Sequence, residues 1–247
     1  MIYRQSEDSY IPILAHDIKN NEVTEEFLET KDDYTFLKCS KESIAKNLKD
    51  LSLKLVNKGY DYKSVQILAP MYAGINGIDN LNKELQDIYN PSDITKKEIK
   101  IGDIIYREND KILQLVNNPD ENVFNGDIGT IIKILNETES ESKKTEIYVQ
   151  YDYACVKYLP KDLVKIKHGF AISIHKSQGS EFDFVIMPIC MSYHRMLYKK
   201  LIYTGITRAK KKLILIGEPN AFLMSINNQN EIIRRTNLKN ILVSMYN

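Results

Sequence analysis

The stretch FAISIHKSQGSEFDFVIM, residues 170–187, decides the fold. Phe170 to Ile174 reads as one short strand, and Phe184-Val185-Ile186-Met187 reads as a second, ended by Pro188. Both runs are short and largely apolar, and a polar loop between two strands fits an α/β sheet. Between them lies a polar turn with Gly179 at its centre. Such sheets hold ligands at the C-terminal ends of their strands, and backbone groups around a glycine can approach a phosphate or sugar closely. By itself the turn reads equally well as a plain polar connection.

The same texture extends outward. Val65 to Ala69 is another apolar run, ended by Pro70; Gly74 and Gly77 follow in a loop, and Ile78, Leu81, Leu85 and Ile88 form a helical stripe. Further upstream, Ile11, Leu14, Ala15 and Ile18 mark a helix stopped at Asn20-Asn21, Asp33 to Lys38 a short strand, and Ile44, Leu48, Leu51 and Leu55 a helix with Ser40 as N-cap and Gly59 as stop. Downstream, the spacing predicts a helix over Tyr193 to Lys210, a strand over Lys212 to Gly217, and short helices to Asn247. Strand, loop and helix in repetition specify an α/β domain. From about Ile101 to Ile166 the helical stripe vanishes. Five β-rich runs (104–106, 111–116, 128–135, 146–151, 156–159) are separated by turn signals such as Asn125-Gly126-Asp127, the pattern of a small barrel. The expected organisation is an α/β domain of residues 1–97 and 167–247, interrupted by an all-β insert of residues 98–166.

Composition narrows the function. Hydrophobic residues make up 43% and charged residues 27%, with net charge +1. A nucleic-acid coat protein is usually more basic, so any DNA binding has to use a local groove. No apolar run approaches the roughly 20 residues of a membrane span, and the N-terminus has no signal-peptide pattern. Three scattered cysteines form no disulfide framework, and four histidines show no zinc spacing. These features point to a cytoplasmic protein with reduced thiols. Lys176-Ser177 lacks the preceding glycine frame of a phosphate-binding loop, no Gly-Lys-Ser or Gly-Lys-Thr occurs, and no apolar strand ends in Asp-Glu to hold magnesium. Ser173 and His175 share a strand face, but without a third group or a nucleophile elbow they make no hydrolytic site. Lys210 to Lys212 read as charge against a helix C-terminus, whereas Arg208 sits in the specific string Thr207-Arg208-Ala209. Sixteen tyrosines, Tyr72 and Tyr193 among them, offer faces for base stacking.

Two strings are recognisable together. Ser173-x-His175-Lys176-Ser177-Gln178-Gly179-x-Glu181-Phe182 resembles motif V of superfamily 1 helicases in its RecD-like form, and Tyr203-Thr204-Gly205-Ile206-Thr207-Arg208-Ala209-Lys210 resembles motif VI. Tyr3-Arg4-Gln5 is similar to the motif IV region, and Gly102-Asp103, Gln114, Asn117-Asn118 and Val123 to Gly129 resemble the family's SH3-like insert. Two departures are visible: Tyr3 stands where the family often has Phe, and Gly205 where it usually has Ala.

The resemblance implies a RecA-like (P-loop NTPase-type) parallel-sheet domain with a small SH3-like barrel insert, the C-terminal portion of an ATP-dependent 5′-3′ DNA helicase of the exodeoxyribonuclease V alpha type. It further implies a fragment of a longer protein. ATP and Mg2+ would be held mainly by an N-terminal RecA-like domain outside this sequence, so the chain alone is expected to be inactive. Arg208 would be the arginine finger and Arg4 a second arginine on the same phosphate. Gln5, Gly179 and Glu181 would lie near the nucleotide. Ser173, His175 and Lys176, with Met71 and Asn76, would contact single-stranded DNA. The implied partners are that DNA, the N-terminal domain and subunits of a nuclease complex. Two rivals share these motifs: a non-enzymatic DNA-binding module, and the helicase part of a conjugative relaxase.

Overall fold

The structure is a computed structural model that describes residues 9–228 and Met245. Its first helix, α1 (Tyr10–Asn20), buries Tyr10, Ile11, Leu14, Ala15 and Ile18 and ends at Asn21 in the left-handed conformation (φ 62°). Its N-terminus is capped from a distance: the backbone N–H groups of Tyr10 and Ile11 donate to the Asp33 carboxylate, each at 3.2 Å, and the Ser9 hydroxyl does the same. Then follow β1 (Tyr34–Lys38), α2 (Ile44–Asn57), β2 (Val65–Ala69) and α3 (Ile78–Tyr89). Ser40 begins a 3-10 turn ahead of α2 and makes no side-chain cap bond to it.

The insert contributes β3 (Glu98–Ile101), β4 (Ile104–Arg107), β5 (Lys111–Gln114), β6 (Ile128–Leu135), β7 (Glu146–Gln150), β8 (Cys155–Tyr158) and β9 (Ile166–His168). The chain returns through β10 (Ala171–Ser173), β11 (Phe182–Ile189), α4 (Lys199–Ile206), β12 (Ala209–Gly217) and α5 (Pro219–Asn227).

Strands β1, β12, β11, β2 and β10 form one wholly parallel sheet in that order. Alternation sets its two faces. Val185, Met187 and Ile189 of β11 and Leu213 and Leu215 of β12 join a core with α1, α4 and α5. The intervening Ile186, Ile214 and Ile216 join a second core with α2 and α3. Helices on both faces of a parallel sheet are the expected α/β architecture. In the insert, β8, β7, β6, β5 and β9 form an antiparallel sheet, with β3 and β4 as a separate hairpin. Their pairing is an open ladder and does not close into a barrel among the described residues.

Three expectations change. Pro188 lies inside β11; the ladder to β2 stops at Ile186, so Pro188 falls where the strand is no longer bracketed on both sides and a missing N–H is tolerated. The helix expected over Tyr193 to Lys210 shrinks to α4. Lys210 to Lys212 therefore lie in β12, where Lys211 pairs with Asp183 at 2.7 Å and Lys212 donates to the carbonyls of Lys31 and Asp32.

Candidate functional site

Residues 174–181 connect two parallel neighbours of β2. Ser173 is level with Ala69 at the end of β2, whereas Phe184 is level with Val65 at its start. The connection therefore runs back along the domain from one end of the sheet to the other. Only the first part of the turn therefore sits at the C-terminal ends of the strands, where such sheets hold ligands. Ser173, His175 and Lys176 are at that end, while Gly179 and Glu181 lead into the opposite one. The crossover opens as a 3-10 turn, Ile174–Ser177, capped by the Ser173 hydroxyl, which accepts from the Lys176 N–H at 3.3 Å. Ser173 is itself buried, and Ser177 donates to the Ile174 carbonyl at 2.8 Å. His175 is exposed, and the Lys176 ammonium group donates to the Asn125 side chain of the insert. Gly179 turns with φ +89°, and no neighbouring atom approaches where a Cβ would be.

Arg208 follows α4 directly and precedes β12. Its carbonyl accepts from the Phe182 N–H at 2.9 Å, which joins the starts of β11 and β12. Its guanidinium donates to the Thr204 carbonyl (3.1 Å), the Ser180 carbonyl (3.1 Å) and the Thr207 hydroxyl (3.2 Å). These three bonds use three of the five N–H donors of the group. All three partners are neutral oxygens, so among the described residues the guanidinium is held in place without an ion-pair partner. Beside this point opens a cleft of about 610 Å³ between Gly179 to Phe182 on one wall and Asp127 to Thr130 and Gln150 to Tyr153 on the other. Lys111 lies at its base, fully buried, with its ammonium group over the Phe182 ring and donating to the Lys63 and Val65 carbonyls. Burial pushes its pKa down to about 7. Sequence reading missed Lys111, since nothing in an isolated Lys-Ile-Leu-Gln run signals a buried cation.

Other expected residues are placed elsewhere. Asn76 is buried and its amide belongs to the scaffold. It donates to the Lys41 carbonyl (2.7 Å) and accepts from the Ala45 N–H (3.1 Å), tying down the start of α2, while its carbonyl accepts from the Tyr193 hydroxyl (2.6 Å). That removes both Asn76 and Tyr193 from any exposed track. Met71 is half-buried against the core under α1 and α4. Tyr72 remains exposed, with the Lys167 ammonium group 5.2 Å from its ring centre. Arg4 and Gln5 lie outside the described residues.

Comparison with known proteins fits this arrangement. The model of the ATP-dependent RecD-like DNA helicase SH3 domain matches residues 81–151, and that of the UvrD-like helicase C-terminal domain matches residues 168–216. By these two matches the chain resembles the RecD-like helicases. This RecD-like chain is 29% identical over 168 residues to the ATP-dependent RecD2 DNA helicase of Deinococcus radiodurans, covering 68% of itself and 22% of that protein. It is 30% identical over 217 residues to the RecBCD enzyme subunit RecD of Buchnera aphidicola from Acyrthosiphon pisum, covering 84% of itself and 34% of the relative. It thus spans about a third or less of the length of these relatives. Among solved structures, the Pif1 helicase of Candida albicans superposes with a TM-score of 0.53 at 14% identity, covering 100% of this chain and 60% of that one. Bacteroides Pif1 bound to ssDNA gives 0.51 at 15% identity, covering 99% and 54%. At such identities the likeness is one of fold. Among the described residues no helix is long and apolar enough to cross a membrane.

Proposed function

We propose that this RecD-like chain is the part of an ATP-dependent DNA helicase that supplies the arginine finger and one wall of a single-stranded DNA track. The observation that carries the reading is the state of Arg208: a half-buried guanidinium, fixed by three neutral oxygens, beside a glycine turn with open space around it. A planar guanidinium so held can exchange neutral acceptors for two phosphate oxygens of an incoming anion. The residues present fit one side of a nucleotide site. Arg208 would meet the γ-phosphate, with Arg4 a second arginine there; Gln5, Gly179 and Glu181 would lie nearby, Glu181 suited to a ribose hydroxyl. ATP, when bound, supplies the phosphoanhydride whose cleavage drives the cycle, and Mg2+ would be held with its phosphates mainly by an N-terminal RecA-like domain.

Arg208 binds well only when a phosphate faces it, so ATP favours closure of the two domains, and the cleft reopens once the attraction is lost. Because 174–181 spans the sheet from end to end, a displacement at Gly179 and Glu181 bears directly on His175 and Lys176, the candidates for DNA phosphates. Ser173 caps the turn that presents them. The resemblance gives 5′-3′ travel, a role in repair and recombination, and nuclease-complex subunits as partners. The test is Arg208→Ala in the full-length parent. DNA-stimulated ATP hydrolysis should fall about a thousandfold or more with single-strand affinity kept, and Arg208→Lys should not restore it, because an ammonium group lacks the fork geometry. Turnover at the wild-type rate in the alanine variant would refute the finger role.

A further inference from the structure

Asn109, Asp110 and Lys111 enter β5 where the insert meets the parallel-sheet domain, and each is tied to that domain separately. The Asn109 carbonyl accepts from the Tyr62 hydroxyl (2.5 Å), and the Lys111 ammonium group donates to the Lys63 and Val65 carbonyls (3.2 and 3.0 Å). Asp110, with no exposed surface, accepts four hydrogen bonds. Two come from α3 and its C-cap: Gln86 Nε2 at 2.7 Å and Asn90 Nδ2 at 2.8 Å. One comes from the Arg107 backbone N–H at 2.7 Å, on the chain's way into the insert sheet, and one from His168 Nε2 at 3.1 Å, on its way out. The backbone of the same residues belongs to the insert: the Asp110 carbonyl accepts from the Ile131 N–H of β6 at 2.9 Å, and the Asn109 N–H donates to the Ile131 carbonyl at 2.7 Å.

A buried carboxylate is stable only when its oxygens are fully engaged, and removing its partners is far costlier than loosening a surface pair. This one joins a helix of one domain to both chain crossings of the other. Gln86 in the last turn of α3 and Asn90 at its C-cap reach the carboxylate together. We propose that Asp110 is a positioning residue that locks the insert to the parallel-sheet domain as one rigid body, and so keeps the insert's Asn125-Gly126 turn seated on Lys176. Asn125 accepts from the Lys176 ammonium group, and a Cβ on Gly126 would lie 3.3 Å from the Lys176 carbonyl, so the far end of the insert is fitted to the crossover closely enough for a pivot at Asp110 to unseat it. The rigid junction stands on these contacts alone; its consequence for a DNA track rests on the helicase reading above.

The test uses the 247-residue chain without DNA or nucleotide, so its failure is separate from failure of the Arg208 experiment. Nitroxide labels on the native, exposed Cys155 of β8 and on Leu53→Cys of α2, with Cys39→Ser and the buried Cys190 left in place, report the distance between the two domains. The parent chain should give one narrow distance distribution, which Asp110→Ala should lose to a broad one. Amide exchange at Ile112 and Leu113 should quicken by about tenfold, the factor expected for losing hydrogen bonds to a charged group, while amides of β11 and β12 keep their rates. An unchanged distance distribution overturns the proposal, as does acceleration of β11 and β12 by the same factor as β5, which marks an ordinary core residue. Should Asp110→Ala not fold, Gln86→Ala with Asn90→Ala removes the donors that reach Asp110 from α3 and its C-cap and leaves those of Arg107 and His168, and the same outcomes decide.

Discussion

Lys111 enters β5 with its ammonium group sealed among backbone carbonyls and the Phe182 ring, and that placement makes stability depend on pH in a definite direction. Burial is the larger effect and lowers its pKa to about 7; the Asp61 carboxylate acts in the opposite direction. Below that pH both the folded and the unfolded chain carry the proton. Between about pH 7 and the ordinary lysine value of about 10.4, the unfolded chain holds it and the folded one does not. Stability due to this residue therefore rises with pH, by about 2 kcal/mol from pH 7 to pH 9. Lys111→Met abolishes that gain. Urea titrations should find the variant more stable relative to the parent at pH 7, with the gap shrinking by about the same 2 kcal/mol at pH 9. A gap that does not change with pH would mean that the amine keeps its charge in the fold. None of this was legible in the sequence, because a lysine's surroundings come from strands far away along the chain. The surroundings of Arg208 are more local: the hydroxyl and carbonyl that hold its guanidinium, at Thr207 and Thr204, sit within the same Tyr203 to Lys210 string that singled it out.

The elements divide along the same line. β2 and the centre of β11 are apolar at nearly every position, and α1 and α3 carry unbroken stripes, so periodicity alone finds them. Boundaries fail where side chains do something other than follow the period. The three lysines disguise the first half of β12, and β9 is too short to show a pattern. Gly205, an oddity among the motif VI residues, acquires a packing reason. A Cβ there would lie 2.6 Å from Met187 Cε and 2.7 Å from its Sδ, so Met187 of β11 fills the space an alanine would claim. Gly217, at the end of β12, has φ +136° and would put a Cβ 1.9 Å from the Ile189 carbonyl oxygen. The two glycines should respond differently to alanine. In Gly205→Ala the obstacle is the tip of a flexible side chain, and the helix gains about 1 kcal/mol of propensity, so stability should move by less than about 1 kcal/mol. In Gly217→Ala the obstacle is the backbone of the neighbouring strand at a strained φ, and the loss should exceed about 3 kcal/mol. Denaturant midpoints of the two variants check both values; a comparable loss in each would mean that Met187 cannot move.

Across the whole molecule, composition and turn signals located the β insert, but how it meets the parallel sheet depends on side-chain bonds that no local pattern contains. Lys176 and Asn125 are 51 residues apart, and their bond places the insert beside the crossover that carries both sets of candidate site residues. With net charge +1 the protein has no overall excess of basic charge. If it grips single-stranded DNA, a few local cations carry the affinity. Lys176→Ala should weaken binding to oligonucleotides of different sequence alike, and should lower the slope of log K against log salt concentration by about 0.7, the value for one lost contact to a single strand. Asn125→Ala carries no charge change. It should shift affinity through the position of Lys176 and leave the slope as it was. Fluorescence anisotropy at several salt concentrations separates the two cases. A slope unaltered in Lys176→Ala would mean that its ammonium group is committed to the insert in the bound state as well, making the contact a structural one and leaving His175 as the exposed candidate of this turn.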